Sequence, residues 1–430
     1  MRVPEINIYT DGACHDNGKA NARCGSGVWV EHGHAWNKAV RIPGNDQSNQ
    51  IGEITAVVIA ASTVPPSWPM KIHMDSKYVI DGLTENLPRW EDRGWIGIKN
   101  DRFFKKAAYL LKKRTATTSF QWVKGHEGNL GNEESDRLAK EGAGKNAPDN
   151  LDLDIPREFD LQGAKLITLT QSIAYKGIQE RKPPYTRQTT EDNLQRARDA
   201  INAYAGTMET SESLWLSLYN PSLRIRVQQF LYKSMHGTQK IGDYWRNIPG
   251  YEERQKCQTC GSTESMEHIL SVCQNPAVQT IWNLAKNRWP HEDIPWPEIN
   301  IGTILSCGNI CVRPNADYQP LAAEAPKKVS KAGETRLLQI LISESAHLIW
   351  VLRCERVIQE KRHNVEEMTK RWHNVINKRL TDDRIIATQI KRTKGALQKV
   401  KRTWEKTLEK DGDLPELWIQ NKEVLVGRRR

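Results

Sequence analysis

The order of hydrophobic periods in the first third of the chain is the strongest constraint on what it can fold into. Residues 5–9, 27–31 and 35–41 alternate and are β-rich, with Gly and Asn between them, which predicts a meander of three antiparallel strands. Asn49 then opens a segment in which Ile54, Val57, Val58 and Ala61 recur at helical spacing until Pro65 and Pro66 stop it. A short strand at 71–74 follows, then a helix capped by Asp101 that runs through Phe104, Ala108 and Leu111. A strand at 119–123 and a helix from 132 to about 142 complete the set. Strands and helices in this order predict one α+β domain, residues 1–145.

The full length of 430 residues allows two or three domains at roughly 100–200 residues each. A polar segment at 146–189 reads as a linker. Residues 190–306 read as a helical domain around a compact cysteine cluster, and 307–333, rich in Pro and Ala, as a second linker. From 334 to 430 a basic helical region is expected. Its first helix carries Leu337, Leu338, Leu341, Ile342, Ile349, Trp350 and Val357 as one apolar stripe for packing against a neighbouring helix. No apolar run approaches the length needed to cross a bilayer, and no secretory leader is legible, so neither a membrane nor secretion is expected. The eight cysteines are clustered rather than spread as a disulfide framework, which favours a reducing compartment.

Four acids stand out in the first domain: Asp11 and Asp75 at strand ends, Glu53 in the first helix, and Asp136 in the last. Any one of them read alone is an ordinary surface acid. Their settings change that reading: Tyr9-Thr10-Asp11-Gly12-Ala13, Asn49-Gln50-Ile51-Gly52-Glu53-Ile54-Thr55-Ala56, Met74-Asp75-Ser76-Lys77-Tyr78-Val79, and Gly125-His126-Glu127-Gly128 leading to Asn132-Glu133-Glu134-Ser135-Asp136-Arg137-Leu138-Ala139. Together these resemble the type 1 ribonuclease H family, endonucleases that cut the RNA strand of RNA–DNA hybrids, over about residues 3–145. The resemblance implies a five-stranded mixed sheet flanked by helices, with Asp11, Glu53, Asp75 and Asp136 as the carboxylates that hold two Mg2+ ions, Mn2+ being a possible substitute.

The chemistry is coherent in its own right. Carboxylates crowded within a few ångströms repel one another unless they bind protons or hard divalent cations. Two such ions activate water on one side of a phosphodiester and stabilise the departing oxygen on the other, leaving a 5′-phosphate and a 3′-hydroxyl. By resemblance His126 assists proton transfer and product release. Gly12, Asn17, Asn49 and Gln50 match positions that face the substrate, where the 2′-hydroxyl distinguishes RNA. Ser48 and Asn100 match a pocket for a phosphate of the DNA strand. Trp90 and Trp95, in Arg89-Trp90-Glu91-Asp92-Arg93-Gly94-Trp95, match a substrate-binding handle, here diluted by two acids; packing on the sheet is the alternative for both rings.

Further on, Cys257, Cys260, His268 and Cys273 form a Cys-x2-Cys-x7-His-x4-Cys array. Three thiolates and an imidazole suit tetrahedral Zn2+, and four protein ligands leave no open position, so the zinc is structural. Cys307 and Cys311 are candidate further ligands, though buried thiols fit their context better. The segment at 190–286 resembles the zinc-binding region of reverse transcriptase-associated proteins from non-LTR retrotransposons, which implies a retroelement origin. No Tyr-x-Asp-Asp polymerase signature is present.

The formal charge of +11 makes an acidic partner the natural expectation. It is uneven: residues 1–150 are almost balanced, whereas 370–406 hold about 12 basic residues against about 3 acidic ones, and Arg428, Arg429 and Arg430 close the chain. The leading expectation is a metal-dependent ribonuclease H whose C-terminal region adds affinity for RNA or DNA. The alternative is a non-catalytic nucleic-acid-binding module that uses the zinc segment and the basic helices. A protein-interaction scaffold built on the long helices is a third. A nuclear location is expected in preference to a cytoplasmic one; oligomeric state is left open.

Overall fold

The computed structural model describes residues 4–125, 128–160, 163–183, 185–312, 331–390, 393–408 and 418–420. It divides into two compact units, Met1–Tyr185 and Thr186–Arg430.

In the first unit, strands β1 (Ile6–His15), β2 (Arg23–Trp29), β3 (Lys38–Arg41), β4 (Met70–Met74) and β5 (Thr118–Trp122) form one sheet in the order β3-β2-β1-β4-β5. The first three strands are antiparallel, while β4 and β5 run parallel to β1, as the crossover helix α1 (Asn49–Thr63) requires. Helices α2 (Lys77–Leu83), α3 (Leu87–Asp92), α4 (Asp101–Lys112), α5 (Leu130–Gly144) and α6 (Gln171–Arg181) complete the unit. The expected five-stranded mixed sheet with flanking helices is the observed fold.

The two faces of the sheet are built differently. On one face Cys24 and Val28 of β2 pack under the apolar α1 in a core with Ile8, Ile54, Val58, Ile72 and Phe104. On the other face β2 presents glycines. A Cβ on Gly27 would fall 2.0 Å from the Ser135 carbonyl oxygen and one on Gly25 would fall 2.1 Å from the Ala143 amide, so α5 lies backbone to backbone on the strand. That contact fixes where Asp136 sits.

The segment expected as a linker at 146–189 is partly built into this unit. Leu153 is buried in its core, Asp149 accepts from the Arg41 amide at 2.6 Å, Lys106 donates to Asp152 at 2.9 Å, and residues 171–181 are helical.

The second unit is helical: α7 (Gln188–Ala205), α8 (Ser211–Ser217), α9 (Ile225–Met235), α10 (Pro276–Asn287), α11 (Ile301–Leu305), α12 (Ala332–Ile358), α13 (Val365–Ile385) and α14 (Lys394–Trp404). Residues 190–306 and the region after 334 do not form separate cores: Leu231, Ile281 and Ile304 share one with Leu337, Leu341, Trp372 and Trp404. The reason is α12, where Leu337, Leu338, Ile340, Leu341 and Ile342 are all buried, so the helix has no free side and needs partners all round. By length and composition α12 could cross a membrane, yet 78% of its most apolar window is buried inside this unit. Most of the second expected linker, and Arg428–Arg430, lie outside the described residues.

Several buried charges in this unit are paired. Arg353 meets Glu264, Arg224 meets Glu344, and Arg336 donates to Asp383 at 2.7 Å. The basic stretch at 370–406 is therefore only partly a surface. Arg371 is tied to Glu355, Arg379 is buried beside Asp383, and Arg384 donates to the Ile419 carbonyl at 2.8 Å.

Candidate metal-binding active site and cysteine–histidine cluster

The acidic site grows from one close approach. A Cβ on Gly12 would sit 2.3 Å from the Glu53 backbone nitrogen, so β1 and α1 touch through their main chains just beyond Asp11. This sets the Asp11 and Glu53 carboxyls together, and Asp75, directly after β4, joins them from the neighbouring parallel strand. Carboxylate oxygens of Asp11, Glu53 and Asp75 lie within 4.8 Å of one another. Asp11 and Glu53 are buried and Asp75 is half-buried.

The electrostatic consequence is large. Burial, the Asp75 charge and, more weakly, the Asp136 charge push the Asp11 carboxyl up to about 6, although a hydrogen bond shared with Glu53 and the Gly12 amide at 2.7 Å oppose the shift. Burial together with Asp11 and Asp75 pushes Glu53 well above the carboxylate range. Glu53 Oε2 is buried with no hydrogen-bond partner, which is costly for a carboxyl oxygen. Hard oxygen ligands, mutual repulsion and an orphaned buried oxygen fit a divalent cation.

Asp136 stands apart from that trio. It forms an i,i+4 ion pair with Lys140 on α5 and reaches the site through its field on Asp11. His126 lies outside the described residues, but the loop leading to it abuts the site: a Cβ on Gly125 would fall 2.6 Å from Asp75 Oδ2.

Of the expected substrate contacts, Asn17, Asn49 and Gln50 are exposed near the start of α1, and Asn17 Oδ1 accepts from the Asn49 amide at 3.3 Å. Ser48 is the N-cap of α1, its hydroxyl accepting from the Ile51 amide at 3.3 Å. Asn100, rather than Asp101, occupies the cap position of α4, in a left-handed conformation, and its amide donates to Tyr78 Oη at 3.3 Å and approaches Gln50 Oε1. These groups make one polar strip from α1 to α4. Trp90 and Trp95 do not reach it. They are only 9% and 8% exposed, packed against each other and, through Trp90, against Phe104, because glycine at position 82 leaves room for the Trp90 ring. Both rings belong to the core of the unit, with an edge of each left exposed.

An aromatic ring does flank the site at a position not anticipated. Trp122, at the end of β5, is 42% exposed, donates to the Asp75 carbonyl at 3.1 Å, and has Lys77 Nζ 4.8 Å from its ring centroid. A tryptophan on the solvent side of an edge strand, one step from the site acid, was the available signal.

In the second unit Cys257, Cys260, His268 and Cys273 converge, with ligand atoms within 4.8 Å of one another. The knuckle is closed by backbone bonds from Cys257 N–H to Ser262 O and from Gly261 N–H to Cys257 O, both 2.8 Å, with Gly261 at φ +71°. A π-helical turn, His268–Val272, brings in the other two ligands. The Cys257 and Cys260 sulfurs stand 3.6 and 3.7 Å from Cys273 Sγ. Burial opposes ionisation of Cys257, yet His268, backbone amides and Cys273 hold it down at about 6, while burial lifts Cys273 to about 12. His268 Nε2 is buried without a partner and its Nδ1 faces Ser262 Oγ at 3.4 Å, the arrangement of an imidazole whose free nitrogen awaits a metal. The donor set fits zinc. Cys307 is fully buried in the core with its thiol lifted to about 12, and Cys311 is exposed; neither belongs to the cluster.

A model of the RNase H family matches residues 4–144. Ribonuclease H1 of Rattus norvegicus is 38% identical over 143 residues, 32% of this chain and 50% of the relative. Ribonuclease H of Albidiferax ferrireducens is 32% identical over 144 residues, 32% of this chain and 93% of the relative, and that of Clostridium botulinum is 34% identical over 145 residues, covering 95% of the relative. The chain thus spans about half the length of the mammalian relatives it matches and nearly all of the bacterial ones.

Proposed function

The chain belongs to the ribonuclease H family, and from that premise we propose that it is a metal-dependent endonuclease that hydrolyses the RNA strand of RNA–DNA hybrids. The observation that carries the reading is the convergence of Asp11, Glu53 and Asp75 around the unpartnered Glu53 oxygen. These three and Asp136 would hold the divalent ions, Mg2+ with Mn2+ as substitute. When bound, two such ions supply an activated water and stabilise the 3′-oxygen that leaves, giving 5′-phosphate and 3′-hydroxyl ends.

The chain's own contribution is position. The main-chain contact at Gly12 fixes Asp11 against Glu53, so the trio is assembled before substrate arrives. Asn17, Asn49 and Gln50 offer donors and acceptors beside the acids for the 2′-hydroxyl and sugar edges, and Ser48 with Asn100 offers polar groups for the other strand. The Trp122 face gives a flat apolar surface next to Asp75. Asp136 is held by Lys140 at the rim, where it can exchange that partner for an ion.

The zinc knuckle is read as structural. Its order after a ribonuclease H domain supports an origin in a non-LTR retroelement, and the net charge with the hybrid substrate supports a nuclear location.

Incubation of the full chain with labelled RNA–DNA hybrid, duplex RNA, duplex DNA and single strands, with Mg2+ or EDTA, tests the activity. Cutting confined to the RNA of the hybrid, dependent on Mg2+ and lost in Asp11→Asn, is the expected result. Equal cutting by the Asn variant overturns it. The Asp136–Lys140 pair favours one second reading, a nucleic-acid-binding module without catalysis; tight hybrid binding with no cleavage by folded wild type in Mg2+ or Mn2+ is its signature.

A further inference from the structure

Beside the zinc knuckle the second unit contains a cavity of about 410 Å3, within the size range of small-ligand sites, roughly 300–1,000 Å3. Gln258 and Thr259, the two residues between the first zinc cysteines, form one wall, and Arg356, Lys361 and Arg362 form another over Met368. The three cations come together through the turn that joins α12 to α13, where Glu360 adopts a left-handed φ of +56° and the Lys361 amide returns to the Glu355 carbonyl at 3.1 Å.

What distinguishes these cations is that, apart from the exposed Glu360 of the turn itself, nearby carboxylates are already engaged. Glu355 is taken by Arg371 and His363, Glu367 caps α13 and also faces His363, and Glu264 is taken by Arg353. No ion pair to a described residue holds Arg356, Lys361 or Arg362, and Arg356 Nε is buried without a hydrogen-bond partner. The adjacent start of α10 is already capped by Asn275, so the positive field comes from side chains. Three cations without an ion-pair partner among the described residues, gathered on one open cavity, make a site for an anion.

We infer that this cavity is a phosphate-binding subsite for a nucleic-acid backbone, built from the α12–α13 turn and the zinc knuckle. The class of ligand rests on the reading under Proposed function; the location does not. Lys361 and Arg362 are exposed, so a polymer can pass across the opening. Among the described residues the only aromatic ring in the lining, His363, is tied to Glu355 and approached by Arg371, leaving no free aromatic face for a base. The subsite therefore grips phosphate and reads no sequence. It also lies outside the 370–406 stretch that carries most of the basic excess.

Binding of a fluorescein-labelled RNA–DNA hybrid to the full, zinc-loaded chain, measured by anisotropy across salt concentrations in buffer with neither Mg2+ nor chelator so that cleavage does not intervene and zinc is kept, tests the inference. Lys361→Ala/Arg362→Ala is expected to weaken binding about tenfold or more and to flatten the slope of log K against log salt by about 1–2, the signature of lost phosphate contacts. Lys361→Arg/Arg362→Lys is expected to keep both. Zinc content and melting transitions verify that each variant is folded. Unchanged affinity and slope in a folded, zinc-loaded Ala variant overturn the subsite. Hydrolysis in Mg2+ at saturating hybrid is scored separately and is expected to be equal in wild type and both variants. If wild type cuts but the Ala variant binds normally, the subsite fails and the nuclease stands; if wild type never cuts yet the Ala variant loses affinity, the nuclease fails and the subsite stands.

Discussion

Replacing Asp11 by Asn is expected to make the metal-free protein more stable while abolishing hydrolysis. The isosteric amide keeps an oxygen for the Gly12 N–H but removes one negative charge from beside Glu53 and Asp75. The folded state raises the Asp11 carboxyl from 3.8 to about 6, so between those values the native chain binds more protons than the unfolded one. Stability is thus fully present below about 3.8, falls as pH rises through about 6, and stays lower above. A shift of about two pK units corresponds to about 3 kcal/mol at neutral pH, an upper figure because Asp11 and Glu53 titrate together. At roughly 2–4 °C per kcal/mol for a unit of this size, the Asn variant in EDTA at pH 7.5 gains up to about 10 °C in the transition of the first unit. Mg2+ should raise the wild-type transition more than the variant's, since the ion relieves the same repulsion. Scanning calorimetry with EDTA or Mg2+ at pH 7.5 and pH 5 reads all of this. An Asn variant no more stable than wild type in EDTA at pH 7.5, or a gain that does not shrink at pH 5, would refute the crowded-carboxylate account.

Gly27→Ala should drive a methyl into the Ser135 carbonyl and lever α5 off the sheet, costing at least about 1–3 kcal/mol, read as a lower urea midpoint for the first unit. Trp90→Ala is expected to cost about 3–5 kcal/mol as a core truncation, whereas Trp90→Phe should leave hybrid KM unchanged; a raised KM in the folded Phe variant would restore the handle role. Cys260→Ser should abolish stoichiometric zinc, measured by atomic absorption, and lower the melting transition of the second unit without moving that of the first. Arg353→Met should lose about 3–5 kcal/mol by stranding the Glu264 carboxylate, and adding Glu264→Gln should recover much of it.

Particular residues show where reading from sequence succeeds. Asp11, Glu53 and Asp75 were legible through the motifs around them, whose resemblance to the type 1 ribonuclease H family implies a shared site; Asp11 proves to lie inside β1 rather than at its end. The convergence of Cys257, Cys260, His268 and Cys273 was legible because their spacing is itself the geometry of a knuckle. β1 runs on to His15, further than alternation suggests, because Gly12 and Ala13 carry no hydrophobic signal although Cys14 still pairs with Cys24. Asp136 was correctly placed on its helix, but its i,i+4 partner Lys140 competes for it, a local contact that the motif alone conceals. Trp90 and Trp95 lie among charges in sequence and inside the core in space, since Gly82 and Phe104, distant along the chain, decide their burial. Likewise the basic count at 370–406 did not distinguish Arg379 and Arg384, which face inward, from Lys378, which is exposed. Net charge along a helix is one-dimensional; its partition between core and solvent is not.

The pairing of Arg353 with Glu264 also governs how the chain can be shortened. Glu264 lies in the knuckle loop, between Cys260 and His268, and its counter-charge arrives only with α12, far downstream. A protein ended near residue 315, a natural way to ask what the basic tail contributes, would keep Cys257, Cys260, His268 and Cys273 yet leave a carboxylate unmatched in a core stripped of Leu337, Leu341 and Trp372. Lost nucleic-acid binding in such a fragment would report collapse rather than missing contacts. The informative cut falls near residue 185, where the first unit ends with its own core intact.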